Sequence, residues 1–305
     1  MKRLTIDTRP ILALAAACAC WGSATVITKS LLASVSPLTL LALQLTVSVA
    51  GLWGLLLIRG RRRLTRREMI QQGLLGWLNP GLSYTFSLLG LAAATASLST
   101  LLWATEPILI LGLAWLGLRE RLSGRLTALS GVAVLGVLLV SGLLGGSALA
   151  AEWQSTVLIL AGVLCCALYT VLARRLNAET DTLFSLAVQQ SAALIWAAAL
   201  WPFECTLAGT VTAFPADWPA WIGSGLAGLL YYALAFWFYL HGLRRVRASL
   251  AGAMLNLTPV FGVAGGYLFL GERLASLQWL GAGLILAAVL GIVVRPAEPA
   301  PATPS

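Results

Sequence analysis

The sequence contains little charge, little lysine and little histidine. Asp, Glu, Lys and Arg make up 10% of its 305 residues, whereas an average soluble domain contains about 25%. Its lysines are Lys2 and Lys29, and neither follows a glycine, as the lysine of a GxxxxGK[ST] phosphate-binding loop must. ATP hydrolysis at such a loop is therefore excluded. The one histidine, His241, forms no recognisable Ser/His or multi-histidine pattern, so we do not expect an enzyme.

The cysteines also give no sign of a bound group. Cys18, Cys20, Cys165, Cys166 and Cys205 lack the spacing of a metal site, and four of them lie within apolar stretches. Small buried hydrophobic residues are the simplest interpretation of such cysteines. We expect no metal and no cofactor.

Apolar residues dominate what is present. They make up 59% of the chain, and the mean hydropathy is +0.88. A spanning helix needs about 20 apolar residues, which predicts an all-α polytopic membrane protein with ten transmembrane helices. We expect the first apolar stretch to stay in the mature protein, and the Pro/Ala-rich tail 295–305 to be disordered. The predicted helices lie near 11–31, 37–58, 69–90, 95–117, 126–144, 155–173, 182–201, 219–241, 249–270 and 275–294.

The basic residues predict the orientation. With the amino terminus inside, all 20 Lys and Arg residues except Lys29 and Arg273 fall on the cytoplasmic side, as the positive-inside rule requires. We therefore expect a multi-pass protein of the bacterial inner membrane, in contact with its lipid bilayer, with both termini cytoplasmic. The basic segment RGRRRLTRRE lies between two predicted helices, so we interpret it as a topology determinant and expect no nucleic-acid partner.

The chain repeats itself. The repeat predicts two units, 1–149 and 150–294, with five helices each. An odd number of helices inverts the second unit in the membrane, an architecture in which transporters place their substrate site near the midplane between the units. Equivalent positions lie 152 residues apart in the later helices of each unit and 145 apart in the early ones: Gly90 and Gly242, Ser97 and Ser249, Pro107 and Pro259, Glu120 and Glu272, Gln44 and Gln189.

Three segments resemble the EamA-like exporters of the drug/metabolite transporter superfamily. They are CWGSATVITKSLLASVSPLTLLALQ, TEPILILGLAWLGLRERL and LTPVFGVAGGYLFLGERL, and the resemblance covers about residues 10–294. It implies a central cavity formed by helices 1–4 and 6–9, with helices 5 and 10 peripheral, and export of metabolites by alternating access. Many relatives have an arginine where this sequence has Gln44, so a clamp for a substrate carboxylate is in doubt at that position.

Aromatic and amide side chains at the middle of the helices are the candidate cavity residues. Aromatic rings at that depth are not part of an interfacial belt, and breakers such as proline can open a helix that lines a cavity. Core packing is the competing interpretation for each of them singly. The predicted cavity residues are Trp21, Gln44, Trp77, Tyr84, Trp103, Glu106, Tyr169, Gln189, Tyr232 and Asn256, and the predicted hinges are Pro80, Pro107 and Pro259.

Glu106 is the one charged residue between Met69 and Leu118, and its equivalent in the second unit is Thr258. A charge at the bilayer centre costs about 2.5–3.5 kcal/mol on insertion scales, and it normally faces the protein interior or a wet cavity. Three roles stay open: structural hydrogen bonding, contact with a substrate amine, and proton coupling.

These patterns predict a secondary transporter that exports small metabolites. Aromatic walls favour amino acids with aromatic side chains, and exporters of aromatic amino acids occur in the family that the sequence resembles. A multidrug or lipophilic-cation efflux carrier is the alternative, and a membrane-embedded enzyme or an assembly subunit is the alternative of another class. Protons are a candidate coupling ion. The GxxxG spacing of Gly262 and Gly266 predicts close helix packing, and both a monomer and a homodimer stay open.

Overall fold

The computed structural model describes residues 9–59, 65–106, 108–110, 112–113, 124–140, 150–176, 181–204, 206, 213–243, 255 and 257–294. Within these ranges the chain is helical, with short turns and no strand. Two helices consist of three consecutive segments each. The helices are α1 (Arg9–Leu31), α2 (Pro37–Arg59), α3 (Arg66–Gly76, Trp77–Leu82 and Ser83–Ala93), α4 (Ala96–Trp103, continuing in tight turns to Glu106), α5 (Gly124–Val140), α6 (Ala150–Leu176), α7 (Thr182–Leu200), α8 (Trp218–Gly228, Leu229–Leu234 and Ala235–Leu243), α9 (Thr258–Phe269) and α10 (Ser276–Val294).

Each predicted helix has a counterpart in this order. Five stretches of the described chain are long and apolar enough to cross a membrane: Arg9–Leu31, Pro37–Arg59, Trp153–Ala173, Thr182–Phe203 and Trp218–Tyr239. The prediction of a polytopic all-α membrane protein is confirmed. The boundary between residues 149 and 150 stays a prediction, and the tail 295–305 lies outside the described residues.

Several helices begin at side chains that accept bonds from their first free N–H groups. Thr65 and Glu68 form a reciprocal capping box at the start of α3. Thr95 accepts from the N–H of Leu98 at the start of α4, and Asp181 and Asp217 cap α7 and α8. Ser, Thr and Asp are favoured at this position because each such bond satisfies a donor that the helix leaves free.

Equivalent helices of the two units pack antiparallel. Gly262 and Gly266 of α9 lie directly against Thr100 and Ser97 of α4, so the later residue of one helix meets the earlier residue of the other. Likewise, Gly136 of α5 packs against Gly281 and Ile285 of α10, while Leu129 contacts Gly291. A two-fold axis that relates antiparallel helices must be perpendicular to them. The two units are therefore an inverted repeat, and the GxxxG face of α9 is covered by α4.

The contacts between units obey the same symmetry. Gly76 of α3 lies against the backbone of Gln189 in α7, and Gly228 of α8 lies against the backbone of Gln44 in α2. A Cβ atom at either glycine would overlap the facing helix. The two glycines are equivalent, and so are the two glutamines. The sequence repeat therefore corresponds to a repeated helix crossing. In one unit's copy α7 packs against α3, and in the other α2 packs against α8.

Candidate functional site

Both units contain a wide π-helical turn at the same place. It spans Trp77–Leu82 in α3 and Leu229–Leu234 in α8, 152 residues apart in the sequence. In α3 the helix breaks at Asn79, whose φ of −147° and ψ of 119° are extended, just before Pro80, which has no N–H to donate. Single turns of this kind are frequent at functional sites. Here each turn carries a residue of a cavity wall, Asn79 in one unit and Tyr231 in the other.

The cavity lies between the two units and contains about 850 Å³ of empty space, its open side included. Among the described residues, those of α1, α3, α4, α6, α8 and the start of α9 line it, while α2 and α7 contribute none. The cavity therefore lies on the axis of the repeat, where transporters built from inverted repeats place their substrate. Equivalent residues line it in pairs: Trp21 and Cys166, Thr25 and Thr170, Asn79 and Tyr231, Tyr84 and Phe236, Trp103 and Leu255, Glu106 and Thr258.

Aromatic rings form much of the wall, and they contact one another. The ring centroids of Tyr84 and Trp103 are 5.7 Å apart, and those of Tyr84 and Tyr231 are 5.3 Å apart in a T-shaped arrangement. Trp21 contacts Phe236 in the same way, at 5.4 Å. Such edge-to-face and offset pairs are the favoured aromatic geometries. The wall is consequently a set of rings packed against one another.

Hydrogen bonds hold these rings in place. Trp21 Nε1 donates to the carbonyl oxygen of Tyr231 at 3.2 Å, and the hydroxyls of Thr25 and Tyr231 lie 2.6 Å apart. Tyr169 donates its hydroxyl proton to Gln189 Oε1 at 2.9 Å. Gln189 thus supports the wall from behind. These bonds leave most of the wall apolar, with few polar groups that are free to bind a ligand.

Glu106 is the acidic residue of the cavity wall. Its carboxylate accepts a long hydrogen bond, 3.4 Å from Thr170 Oγ1, and a second one from the thiol of Cys166. The described lining contains no Lys, Arg or His. Lys29 is too far along α1 to neutralise Glu106, because its Nζ donates to the carbonyl oxygens of Leu91 and Ala92, each at 3.0 Å. The cavity therefore presents a carboxylate that no described cation neutralises.

The structure places the predicted residues in four groups: buried behind the wall, on the outer surface, outside the described residues, and on the wall itself. Gln44 is buried at the α2–α8 crossing, where its Nε2 donates to Thr28 Oγ1 at 2.9 Å. Tyr232 is fully buried against Tyr84, with ring centroids 4.9 Å apart. Trp77 is 45% exposed on the outer surface. Pro80 is buried in the break of α3, Gln189 lies behind Tyr169, and Asn256 and Pro107 lie outside the described residues. The predicted residues on the wall are Trp21, Tyr84, Trp103, Glu106, Tyr169 and Pro259.

Sequence reasoning missed several polar wall residues, namely Thr25, Thr170 and Cys166. The repeat contained the signal that could have found them. Cys166 is the equivalent of Trp21, and Thr170 is the equivalent of Thr25. Because the cavity lies on the symmetry axis, a residue whose equivalent lines the wall is itself a candidate.

Comparison with known proteins gives a family. The sequence profile of the EamA-like transporter family matches the chain twice, over residues 8–142 and 154–294. The permease-like protein YdzE of Bacillus subtilis (strain 168) is 35% identical over 66 residues, which are 22% of this chain and 85% of YdzE. An uncharacterized transporter of Haemophilus influenzae (strain ATCC 51907 / DSM 11121 / KW20 / Rd) is 37% identical over 79 residues, 22% of this chain and 46% of that protein. The chain therefore matches under half the length of this second relative.

A solved structure supports the fold independently. The crystal structure of another protein superposes with a TM-score of 0.61 over 93% of this chain and 97% of that one, at 20% identity. At that identity the likeness concerns the fold alone. The two profile matches together cover nearly the whole chain and agree with the motif resemblance, so this protein belongs to the EamA-like transporter family.

Proposed function

We propose that this transporter exports amino acids, aromatic ones favoured, from the cytoplasm across a bacterial inner membrane, with both of its termini cytoplasmic. Transport proceeds by alternating access through the cavity between the two units. The observation that carries the proposal is the composition of the wall: packed aromatic rings and one acidic side chain, Glu106, with no Lys, Arg or His among the described lining residues.

The aromatic wall supports the choice of side chain. Tyr84 contacts both Trp103 and Tyr231, and Trp21 and Phe236 form a second pair. Aromatic pairs contribute about 0.5–1.5 kcal/mol beyond the burial of their area. An indole or phenyl ring between these residues gains that contribution, whereas an aliphatic side chain gains only the burial of its area.

The carboxylate supports the choice of charge. An ammonium group beside Glu106 replaces the missing counter-ion, and it also lies near the faces of aromatic rings, which attract cations. In this role Glu106 contacts the substrate amine. Exchange of a proton at the same carboxylate would couple transport to a proton gradient, so the pH dependence of transport separates the two roles.

Lipophilic cations are a second candidate substrate class, favoured by the same absence of a described Lys or Arg on the wall. A delocalised organic cation pairs with Glu106 and contacts the aromatic rings. Because it has no carboxylate of its own, it needs no second polar partner in the cavity. Membership of a transporter family points away from the enzyme and scaffold alternatives.

Competition in proteoliposomes tests the proposal. Uptake of labelled tryptophan is measured against phenylalanine, leucine and a cationic dye as competitors, for the wild-type protein and for Glu106→Gln. We expect phenylalanine to compete well and leucine poorly. Competition by the dye alone would exclude amino acids and support cation efflux.

The Glu106→Gln variant assigns the role of the carboxylate. Reduced transport with unchanged pH dependence supports contact with the amine, and loss of the pH dependence supports proton coupling. If neither rate nor pH dependence changes, only a structural role remains. Glu68→Gln is the matched control, because Glu68 is an exposed carboxylate that caps its own helix and does not line the cavity.

A further inference from the structure

We infer that Asn79 binds the carboxylate of the substrate and so decides between amino acids and amines. This inference rests on the proposed export of amino acids. A zwitterion brings a negative charge into the cavity as well as an ammonium group, and the described wall offers no cation to receive it. Neutral hydrogen-bond donors must then bind the carboxylate.

Gln44 does not provide that donor. It lies at the α2–α8 crossing away from the cavity, and its Nε2 already donates to Thr28. The lining hydroxyls are also largely engaged. Thr100 donates to the carbonyl oxygen of Ala96 at 3.0 Å, and Tyr169 donates to Gln189. A carboxylate in this cavity therefore needs a polar group that has no partner of its own.

The side-chain amide of Asn79 is the candidate, because its oxygen is unpaired and it can turn an N–H donor to the same place. It lines the cavity with 1% of its surface exposed, and its Oδ1 has no hydrogen-bond partner. Buried side-chain amides are nearly always hydrogen-bonded, so an unpaired one calls for an explanation. Its equivalent in the second unit, Tyr231, lines the same cavity but is satisfied by the hydroxyl of Thr25 at 2.6 Å. Of these two equivalent positions, only the one in the first unit has an unpaired side-chain atom.

The backbone presents this amide to the cavity. Asn79 has extended dihedral angles within the wide turn of α3, where a regular helix would direct its side chain differently. The terminal torsion of asparagine is broad, and the amide carries two N–H donors as well as an oxygen acceptor. If the amide rotates, its Nδ2 can donate to the carboxylate of the substrate. Glu106, on the neighbouring helix α4, then binds the ammonium group of the same substrate.

The test compares substrates that differ only at the carboxylate. Transport of tryptophan and of tryptamine, which lacks the carboxylate, is measured in proteoliposomes for the wild type, Asn79→Ala and Asn79→Asp. Removal of a hydrogen bond to a charged group predicts a rise in KM for tryptophan of about tenfold or more in Asn79→Ala. We expect a larger rise in Asn79→Asp, whose carboxylate repels that of the substrate. Tryptamine transport should be unchanged or improved in both variants, which also shows that they are folded.

The wild-type protein supplies a control that needs no variant. Tryptophan amide, whose carboxylate is blocked, should bind more weakly than tryptophan if the carboxylate is recognised. Equal KM values for tryptophan, its amide and tryptamine would overturn the inference while leaving aromatic transport intact. So would an unchanged ratio of tryptophan to tryptamine KM in Asn79→Ala. If the wild type transports neither tryptophan nor tryptamine, the proposed function itself fails, and the inference fails with it.

Discussion

Replacement of Glu272 should open the end of the cavity at which α2 and α4 begin. Glu272 follows α9 and accepts bonds from three donors at the first turn of α4: Ala96 N at 2.7 Å, Ser97 N at 2.9 Å and Ser97 Oγ at 2.6 Å. The two helices belong to different units, so these bonds join the units at this end. Glu204, after α7, makes similar bonds to Leu38 and Thr39 at the start of α2.

The size of the effect follows from these bonds. A hydrogen bond to a charged group contributes about 1.5–3 kcal/mol, and a carboxylate at a helix amino terminus gains about 0.3–1 kcal/mol more from the helix dipole. Glu272 is only partly buried, and water replaces its partners when the end opens. We therefore take about 2–3 kcal/mol for the whole carboxylate, which corresponds to a shift of roughly 30- to 150-fold in the opening equilibrium.

Labelling of Cys166 measures that shift. Cys166 lines the cavity, so in a protein whose other cysteines are replaced by alanine it reports access from either side of the membrane. A membrane-impermeant thiol reagent, added on the side of the α4 amino terminus, should react roughly 30- to 150-fold faster with Glu272→Ala than with the parent protein. Glu68→Ala, which removes a carboxylate that caps its own helix, should leave the rate unchanged. A rate that Glu272→Ala changes by less than about twofold would refute the reasoning.

Three further predictions concern packing, the wall and orientation. Gly76→Ala should clearly lower the melting temperature of the purified protein, because the new methyl group overlaps the backbone of Gln189 and overpacking costs about 1–3 kcal/mol. The control Gly54→Ala, at a glycine with open space around it, should leave the melting temperature unchanged. Trp103→Ala should raise the KM for tryptophan about threefold to tenfold by removing a ring that packs on Tyr84, with a smaller effect on leucine. A green fluorescent protein fused to the carboxyl terminus should fluoresce in bacterial cells, as a cytoplasmic terminus requires.

Much of the fold could be predicted because the signals are long. These signals are apolar stretches of helical length, the distribution of arginine and a repeat of five helices. Each extends over many residues, so misjudging one residue does not change the predicted fold. The crossings show the same redundancy. Gly76 and Gly228 are equivalent, and so are Gln44 and Gln189, and the structure pairs each glycine with the glutamine of the other unit.

The cavity wall was harder to predict, because it depends on the rotation of each helix. Trp77 and Tyr84 are seven residues apart and would share one face of a regular helix. The wide turn Trp77–Leu82 separates their directions, so that Trp77 is 45% exposed while Tyr84 lines the cavity. In the second wide turn, Tyr231 lines the wall and Tyr232 packs behind it. A π-helical turn leaves no clear pattern in the sequence.

Counterflow exchange tests the central claim, transport of aromatic amino acids through the cavity between the units, most directly. Proteoliposomes that contain the Cys166-only protein are loaded with unlabelled tryptophan, leucine or buffer, and the uptake of labelled phenylalanine is followed. We predict that internal tryptophan accelerates the uptake strongly, that leucine does so weakly, and that prior modification of Cys166 in the wall abolishes the exchange. Uptake that no internal amino acid accelerates, or exchange that survives complete modification of Cys166, would contradict the account.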